Sequence, residues 1–462
     1  MQNRPNILLI NCDDLGYGDL GCFGSTRNKT PHIDALAANG MRLTDFYQAC
    51  PVCSASRAAM LTGSYPPRIG FHDYQVLFPG QAEGLHPDEN TIADYMKQAG
   101  YATKIVGKWH CGDQPEFLPT AHGFDEYFGI PFSNDMGRQS NNPDRPPLPL
   151  LRNDQVLQEQ PDQRGLTERY AQECVDFIDR NNDQPFFLYL AHMYVHVPLF
   201  VPKPFLEASE NGAYGGAVAC IDWCTGVIVE RLKKHGLLDN TLIIFTSDNG
   251  SRARDEGGSN APCRGKKGTT WEGGQRLPCI MHWPAKIKPG QTVSSVTRST
   301  DFLPTLCTLA GVEPDQNRPL DGYDRSELLL GGDDVHADED FMYYKGPSLC
   351  AVRSGDWKLH VARTPLHGWD KPGEQIKELY NLKEDISESN NVYDQHPEIV
   401  ARLTEKVEAM RKKLGDLTTG IPGSENRPMG RVNSPKALTE YNENHPYIIA
   451  MYDNADMPTM CG

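Results

Sequence analysis

The chain has 462 residues, more than one ordinary hydrophobic core accommodates, so two domains are expected. Its 39% apolar content, with 19 Tyr, 16 Phe and 6 Trp, is that of a globular protein. A net charge of −16 excludes an extended nucleic-acid surface, which needs clustered Lys and Arg, but leaves room for a small anionic substrate in a locally basic cleft.

The apolar run Ile7–Ile10 is too short to span a membrane, and no membrane insertion is expected. Asp13 and Asp14 follow it directly, which is not a signal-peptide layout. As it stands the sequence reads as cytoplasmic, or as periplasmic or secreted if a signal has been removed. The 13 cysteines are odd in number and irregularly spaced, as expected of free thiols in a reducing compartment.

In chain order, Asn6–Asn11 is a continuous apolar run, the mark of a strand buried on both faces. Two adjacent carboxylates, Asp13 and Asp14, at the end of such a strand are costly unless a cation joins them. In open α/β sheets ligands gather at that end; a solvated turn is the alternative. Thr30-Pro31 opens a helix as cap and first-turn proline, with Ile33, Leu36 and Ala37 on one face and Gly40 at its end. Leu43–Tyr47 predicts a short strand.

The next stretch, Cys50-Pro-Val-Cys53-Ser-Ala-Ser-Arg57-Ala-Ala-Met-Leu61-Thr62-Gly63, passes from loop to helix. Ser54 and Ser56 are good cap residues, Ala58 to Leu61 are helix formers, and Gly63 is a natural stop. Cys53 is therefore expected at or just before a helix N-terminus, where free N–H groups favour negative charge. Arg57 falls one turn further along the same face. A nucleophile beside a fixed guanidinium suits an oxyanion, sulfate or phosphate. Cys50-x-x-Cys53 also reads as a redox pair or half a zinc site, and a buried inert thiol is a cysteine's commonest fate.

Thr91–Ala99 predicts a helix, and Ala102–Val106 a strand ending in Gly107-Lys108-Trp109-His110. Two apart in an extended segment, Lys108 and His110 share a side, which suits binding and proton transfer on an oxyanion ester. A solvated lysine is the ordinary alternative. Residues 131–165, rich in Pro, Asn, Asp and Arg, predict a long loop of the kind that walls a substrate pocket. A helix at about Thr167–Asp179 leads to the strand Phe186–Ala191, then to His192 and His196-Val-Pro198. A helix at about Gly215–His235 leads to the strand Thr241–Thr246 and Ser247-Asp248-Asn249-Gly250. Asp13, Asp14, Asp248 and Asn249 together form an all-oxygen donor set suited to calcium or magnesium, without the nitrogen and sulfur that zinc prefers. Lys267 opens a Gly-rich segment before the strand Leu277–His282 and a helix at Asp301–Ala310.

Strands and helices thus alternate to about residue 312, with polar groups at strand ends, the doubly wound α/β pattern. The polar stretch Gly331–Asp340 marks a boundary, giving domains 1–335 and 336–462. Beyond it, short strands (Phe341–Tyr344, Cys350–Ser354, Trp357–Val361 and the Leu379 region) precede one amphipathic helix opened by Pro397, an α+β subdomain. From Gly420 onward an irregular wrap is expected, burying Tyr441, Tyr447, Ile448, Ile449 and Tyr452.

Six ordered blocks together resemble the type I, formylglycine-dependent sulfatases: Asp13-Asp14, Cys53–Gly63, Gly107–His110, His196-Val-Pro, Ser247–Gly250 and Lys267-Gly-Thr-Thr-Trp-Glu-Gly-Gly. The resemblance runs from residue 5 to about 415, nearest the arylsulfatase A and N-acetylgalactosamine-6-sulfatase branch. Cys111 stands where that family usually has Leu. The resemblance implies a large, mixed, mostly parallel sheet sandwiched by helices. It implies that Cys53 is oxidised to formylglycine (3-oxoalanine) by a formylglycine-generating or anaerobic sulfatase-maturating enzyme. Its hydrate would attack sulfur to give a covalent sulfo-enzyme. One calcium on Asp13, Asp14, Asp248 and Asn249 would stabilise the sulfate charge, helped by Arg57, Lys108 and Lys267. His196 with Lys267 would protonate the leaving alcohol, and His110 would deprotonate the second hydroxyl. Such a role excludes a disulfide at Cys53. Ser133, Asn134 and Asp135 are candidates for the pocket wall. The implied substrate is a sulfated small molecule or glycan of galactose or N-acetylgalactosamine type. A phosphodiesterase or phosphonate monoester hydrolase of the same fold is the alternative, as is a sulfated-glycan binder if Cys53 stays unmodified.

Overall fold

The computed structural model describes residues 4–139, 142–366, 371–440 and 442. The Asn6–Cys12 strand lies at the centre of an eleven-stranded sheet, and every one of its residues is buried. Side chains alternate across a strand, so Ile7 and Leu9 feed one apolar cluster while Leu8 and Ile10 feed another on the opposite face. A strand covered on both sides has no solvated face, which is why its sequence is an unbroken apolar run.

Asn6–Cys12 pairs in parallel with Phe186–Ala191 on one side and Thr241–Ser247 on the other. Ala102–Gly107 and Glu126–Gly129 continue the parallel set. Arg276–His282 runs antiparallel to both Thr241–Ser247 and Met41–Tyr47, so the sheet is mixed. Helices Ile92–Gln98 and Phe302–Ala310 contribute to the first cluster; Pro31–Ala38, Leu166–Arg180 and Gly212–Lys234 contribute to the second. The last of these is long and apolar enough to cross a bilayer by composition, yet 67% of its most apolar window is buried within the fold.

The long loop expected at 131–165 is only partly one. Pro149–Arg152 and Gln155–Glu159 form an antiparallel hairpin at the sheet edge. Its turn is closed by Asn153, at a left-handed φ of 56° that Asn tolerates better than most residues.

Residues 331–340 link this sheet to a second, antiparallel one of four strands: Phe341–Lys345, Ser348–Ser354, Trp357–Arg363 and Glu374–Asn381. The helix Pro397–Leu414 packs on it through Leu403, Val407 and Leu414. Tyr47, Ala49, Ala59 and Tyr65 of the larger unit share the same apolar cluster. The expected burial of Tyr441, Tyr447, Ile448, Ile449 and Tyr452 lies outside the described residues.

Behind the Ala102–Gly107 strand end, Trp109 packs against His122, with ring centroids 5.8 Å apart. Neither ring nitrogen of His122 has a hydrogen-bond partner. Burial, reinforced by His86, pushes its pKa from 6.5 down to about 4. The unfolded chain therefore binds this proton more readily, so the stability involved is complete above pH 6.5 and falls as pH drops towards 4. Replacing His122 with Phe is expected to reduce the stability lost between pH 7 and pH 5 by about 2 kcal/mol. Chemical denaturation at the two pH values checks this; identical losses in both proteins would contradict it.

Candidate active site

Four parallel strands, Thr241–Ser247, Asn6–Cys12, Phe186–Ala191 and Ala102–Gly107, end side by side in that order. Cys12 is in register with Ser247, and Asn11 and Gly107 are both in register with Ala191. The residues that follow each strand therefore emerge at one edge. Asp13 and Asp14 follow Asn6–Cys12, Asp248 and Asn249 follow Thr241–Ser247, and Lys108 follows Ala102–Gly107. His196 enters from the loop after Phe186–Ala191.

The helix Cys53–Thr62 points its N-terminus at this edge, and Cys53 is its first residue. The expected caps differ: Val52, extended at φ −144°, occupies the cap position without a side-chain hydrogen bond. The serine hydroxyls serve neighbours instead. Ser54 Oγ accepts from the Leu77 N–H, and Ser56 Oγ donates to the Asp248 carbonyl. This buried helix end is tied into the surrounding loops, so a local cap signal misplaces its function. Gly63 ends the helix at φ 66°, as expected.

Three buried carboxylates are paired with three cations. Lys108 Nζ lies 2.5 Å from Asp13 Oδ2, Arg57 Nε 2.8 Å from Asp248 Oδ2, and Lys267 Nζ 2.9 Å from Asp14 Oδ1. Without them, like charges in a low-dielectric site would repel strongly. Burial alone would raise the Asp13 pKa, but Lys108, His196 and Arg57 hold it well below the usual carboxylate range. Asp248 goes the other way: burial and the nearby Asp13 charge push it up to about 7 despite Arg57. Burial would lower Lys267, but the Asp14 and Asp13 carboxylates outweigh it and keep the ammonium charged.

The same carboxylates fit a hard cation. Single ligand atoms of Asp13, Asp14, Asp248 and Cys53 all lie within 4.8 Å of one another. Asn249 donates its amide to Asp14 Oδ1 at 2.7 Å, which leaves its own Oδ1 buried without a partner. An orphaned amide oxygen beside three carboxylates is the donor chemistry of calcium or magnesium.

A cavity of about 280 Å³ opens over this cluster. Cys53, His110, Ser133, Asp135, His196 and Lys267 line it. The Cys53 thiol is 3.6 Å from Asp13 Oδ1, and burial raises its pKa against the opposing pull of Lys108 and Lys267. Burial likewise pushes Cys50 up to about 12. All cysteines among the described residues are free. Two protonated, buried thiols do not suit the redox reading, which needs an accessible thiolate. The zinc reading fails as well, because carboxylates rather than thiolates and imidazoles surround Cys53.

Lys108 and His110 converge, but not through an extended segment. Gly107 has φ 113° and His110 φ 65°, so the chain winds sharply after the strand. At Gly107 a Cβ would sit 1.9 Å from the Ala191 carbonyl oxygen, which only glycine avoids. His110 Nε2 meets the Leu77 carbonyl at 3.0 Å, while Nδ1 is buried without a partner. Burial and then Lys108 push its pKa well below 6.5. Burial and then Lys267 lower His196 too, against Asp14 at 3.9 Å. Ser133 Oγ accepts from Lys108 Nζ at 3.3 Å and lies 3.4 Å from His196 Nδ1. Asn134 stands beside these rather than in the cavity lining, and its amide donates to Gln163 Oε1 and the Pro198 carbonyl. Sequence reasoning missed Arg145, Arg252, Arg254 and Lys266, which also line the cavity. The one available signal was their basic charge, in loops beside the Asp248 and Lys267 blocks for Arg252, Arg254 and Lys266 and in the 131–165 stretch for Arg145.

The Lys267 loop is fastened on both sides. Lys267 N–H donates to the Ser251 carbonyl and Gly268 N–H to the Pro51 carbonyl, at 3.0 and 2.9 Å. Glu272, fully buried, accepts from Tyr47, Tyr343 and Lys358, which ties the same segment to the second sheet.

Residues 5–312 match the Sulfatase family model, and residues 266–413 match that of the C-terminal region of N-sulphoglucosamine sulphohydrolase. The chain is 41% identical to N-acetylgalactosamine-6-sulfatase of Canis lupus familiaris over 387 residues, covering 79% of this chain and 73% of that protein. It is 42% identical to human arylsulfatase A over 380 residues, covering 77% and 74%. Among solved structures it resembles the PsFucS1 sulfatase from Pseudoalteromonas sp. with a TM-score of 0.81 at 29% identity, covering 92% of each chain. The protein thus belongs to the sulfatase family, the sulfuric ester hydrolases.

Proposed function

We propose that this chain hydrolyses a sulfate monoester on a sulfated sugar of galactose or N-acetylgalactosamine type, using residue 53 after its oxidation to formylglycine. One observation carries the reading: the first residue of a buried helix, Cys53, faces a cavity where three carboxylates and three cations converge. The likeness to N-acetylgalactosamine-6-sulfatase supports the sugar class. A formylglycine-generating or anaerobic sulfatase-maturating enzyme would perform the oxidation, and the formylglycine hydrate supplies the nucleophilic hydroxyl.

Asp13, Asp14, Asp248 and Asn249 would hold calcium, which when bound supplies positive charge against the sulfate oxygens. Arg57 keeps Nη2 buried and without a hydrogen-bond partner, so it has a donor to give an oxyanion. Lys108 and Lys267 add charge on either side. His110, neutral at pH 7 and with Nδ1 unpartnered, accepts a proton from a hydroxyl of residue 53. Lys267 and His196 flank Asp14 and share the work of protonating the leaving alcohol. Lys267 stays charged, while His196 titrates lower.

Replacing Cys53 with Ala is expected to reduce sulfate release by at least about 10⁴-fold with the fold unchanged by circular dichroism. Retained release would overturn the assignment of residue 53. Measuring the matched aryl phosphate beside the aryl sulfate tests the alternative, since faster phosphate cleavage would favour phosphoryl transfer. Chelation is expected to lower activity, with calcium restoring it better than zinc. Activity indifferent to chelators would contradict the assigned cation ligands.

A further inference from the structure

Arg57, Lys108 and Lys267 each answer a carboxylate at the sheet edge. Arg252 does not. Its side chain lines the same cavity and is only 7% exposed, yet Nε and Nη1 are buried with no hydrogen-bond partner. A guanidinium that is always charged does not stay buried and unpaired without cost. A buried N–H left unmade forfeits its desolvation without return, so the arrangement leaves an unmet demand for an acceptor.

The backbone enforces it. Ala253 sits at φ 46°, a left-handed conformation unfavourable for alanine, and its N–H is held by Ser251 Oγ at 3.1 Å. Ser251 N–H is fixed in turn by Asn260 Oδ1 at 2.8 Å. This turn puts Arg252 and Arg254 in the wall of one cavity. Arg145 and Lys266 line it as well, and Asp135 is the sole carboxylate among the described lining residues. The cavity is thus strongly cationic in a chain of net charge −16, and of its lining cations only Lys267 is one of the three paired with the sheet-edge carboxylates.

We propose that Arg252 anchors a second anionic subsite, distinct from the one at Cys53, which takes a further sulfate or carboxylate on the same glycan. The guanidinium fork matches either group through two parallel N–H donors. The substrate class is then a sulfated sugar with a second negative group, on the same ring or on an adjoining uronic acid. This deepens the sulfatase reading above and rests on it.

The test uses the full chain with residue 53 matured. Its substrates are N-acetylgalactosamine 6-sulfate, the corresponding 4,6-disulfate, and the 6-sulfated sugar joined to a uronic acid. A parallel pair of aryl sulfates, with and without a second anionic substituent, gives the same comparison without the sugar. The readout is the ratio of kcat/KM for the dianionic substrate over the monosulfated one. A ratio of about 10–100 is expected for the natural chain. Arg252→Gln should bring it close to unity, chiefly through KM. The dianionic sugar that shows the preference distinguishes sulfate from carboxylate. No preference in the natural chain overturns the subsite, as does a preference that Arg252→Gln leaves intact. Equal losses on every substrate would assign Arg252 to the scissile sulfate and also overturn it. Should Arg252→Gln fail to fold, Arg252→Lys keeps the charge without the planar fork and should lower the ratio severalfold; an unchanged ratio overturns the subsite. If the sugars are inert while the aryl pair is cleaved, the sugar assignment falls and the aryl ratio still decides the subsite.

Discussion

The site depends on holding three carboxylates, Asp13, Asp14 and Asp248, close together out of water, each against its own cation. Breaking one pair in such a setting leaves an uncompensated buried charge, a cost of about 3–5 kcal/mol. The pairing with Lys108, Lys267 and Arg57 is therefore a condition of folding as well as of chemistry. It also explains why the strand ends have to coincide. Each carboxylate comes from a parallel strand whose register is fixed by ladder hydrogen bonds, and each cation comes from a different element. An ion added to this cluster would join charges that already balance and leave the surrounding cations to face a substrate.

The second sheet shares in this arrangement by holding the segment that carries Lys267. Glu272 lies five residues beyond Lys267 and is held by Lys358 and Tyr343 of that sheet and Tyr47 of the first. Glu388 accepts from the Glu272 N–H at 2.7 Å and pairs with His360 and Lys358. Burial would raise the Glu272 pKa, but Lys358, Arg276 and Arg353 keep it strongly depressed. The Lys267 loop is thus a short span between two rigid anchors, which suits a group that must be placed to within a fraction of an ångström.

Much of this was legible in the sequence because the signals were local or strongly periodic. The Asn6–Asn11 run reports burial on both faces directly. Cys53 follows from the loop-to-helix change around it, and the Pro397–Leu414 stripe from its helical spacing. What escaped depends on partners far along the chain. Ser54 and Ser56 look like caps, yet their hydroxyls are drawn away to Leu77 and Asp248. The hairpin at residues 149–159 pairs the short buried run Pro149–Leu151 with an edge strand whose Val156 and Leu157 are exposed, so no polar–apolar alternation distinguishes it from a loop. Asn134 shares composition with its neighbour Ser133, and only packing turns it towards Gln163 and Pro198. Arg252 reads as a solvated loop residue until its burial is seen.

The central claim is that Cys53 serves in oxidised form, a proposal that rests on its place at the first turn of the buried helix and on the chain's membership of the sulfatase family. The most direct measurement is the mass of the peptide containing residue 53, from protein made in its native host. The account predicts a residue lighter than cysteine, with sulfur replaced by oxygen and two hydrogens lost. A peptide carrying unmodified cysteine throughout, or one joined to Cys50, would contradict it.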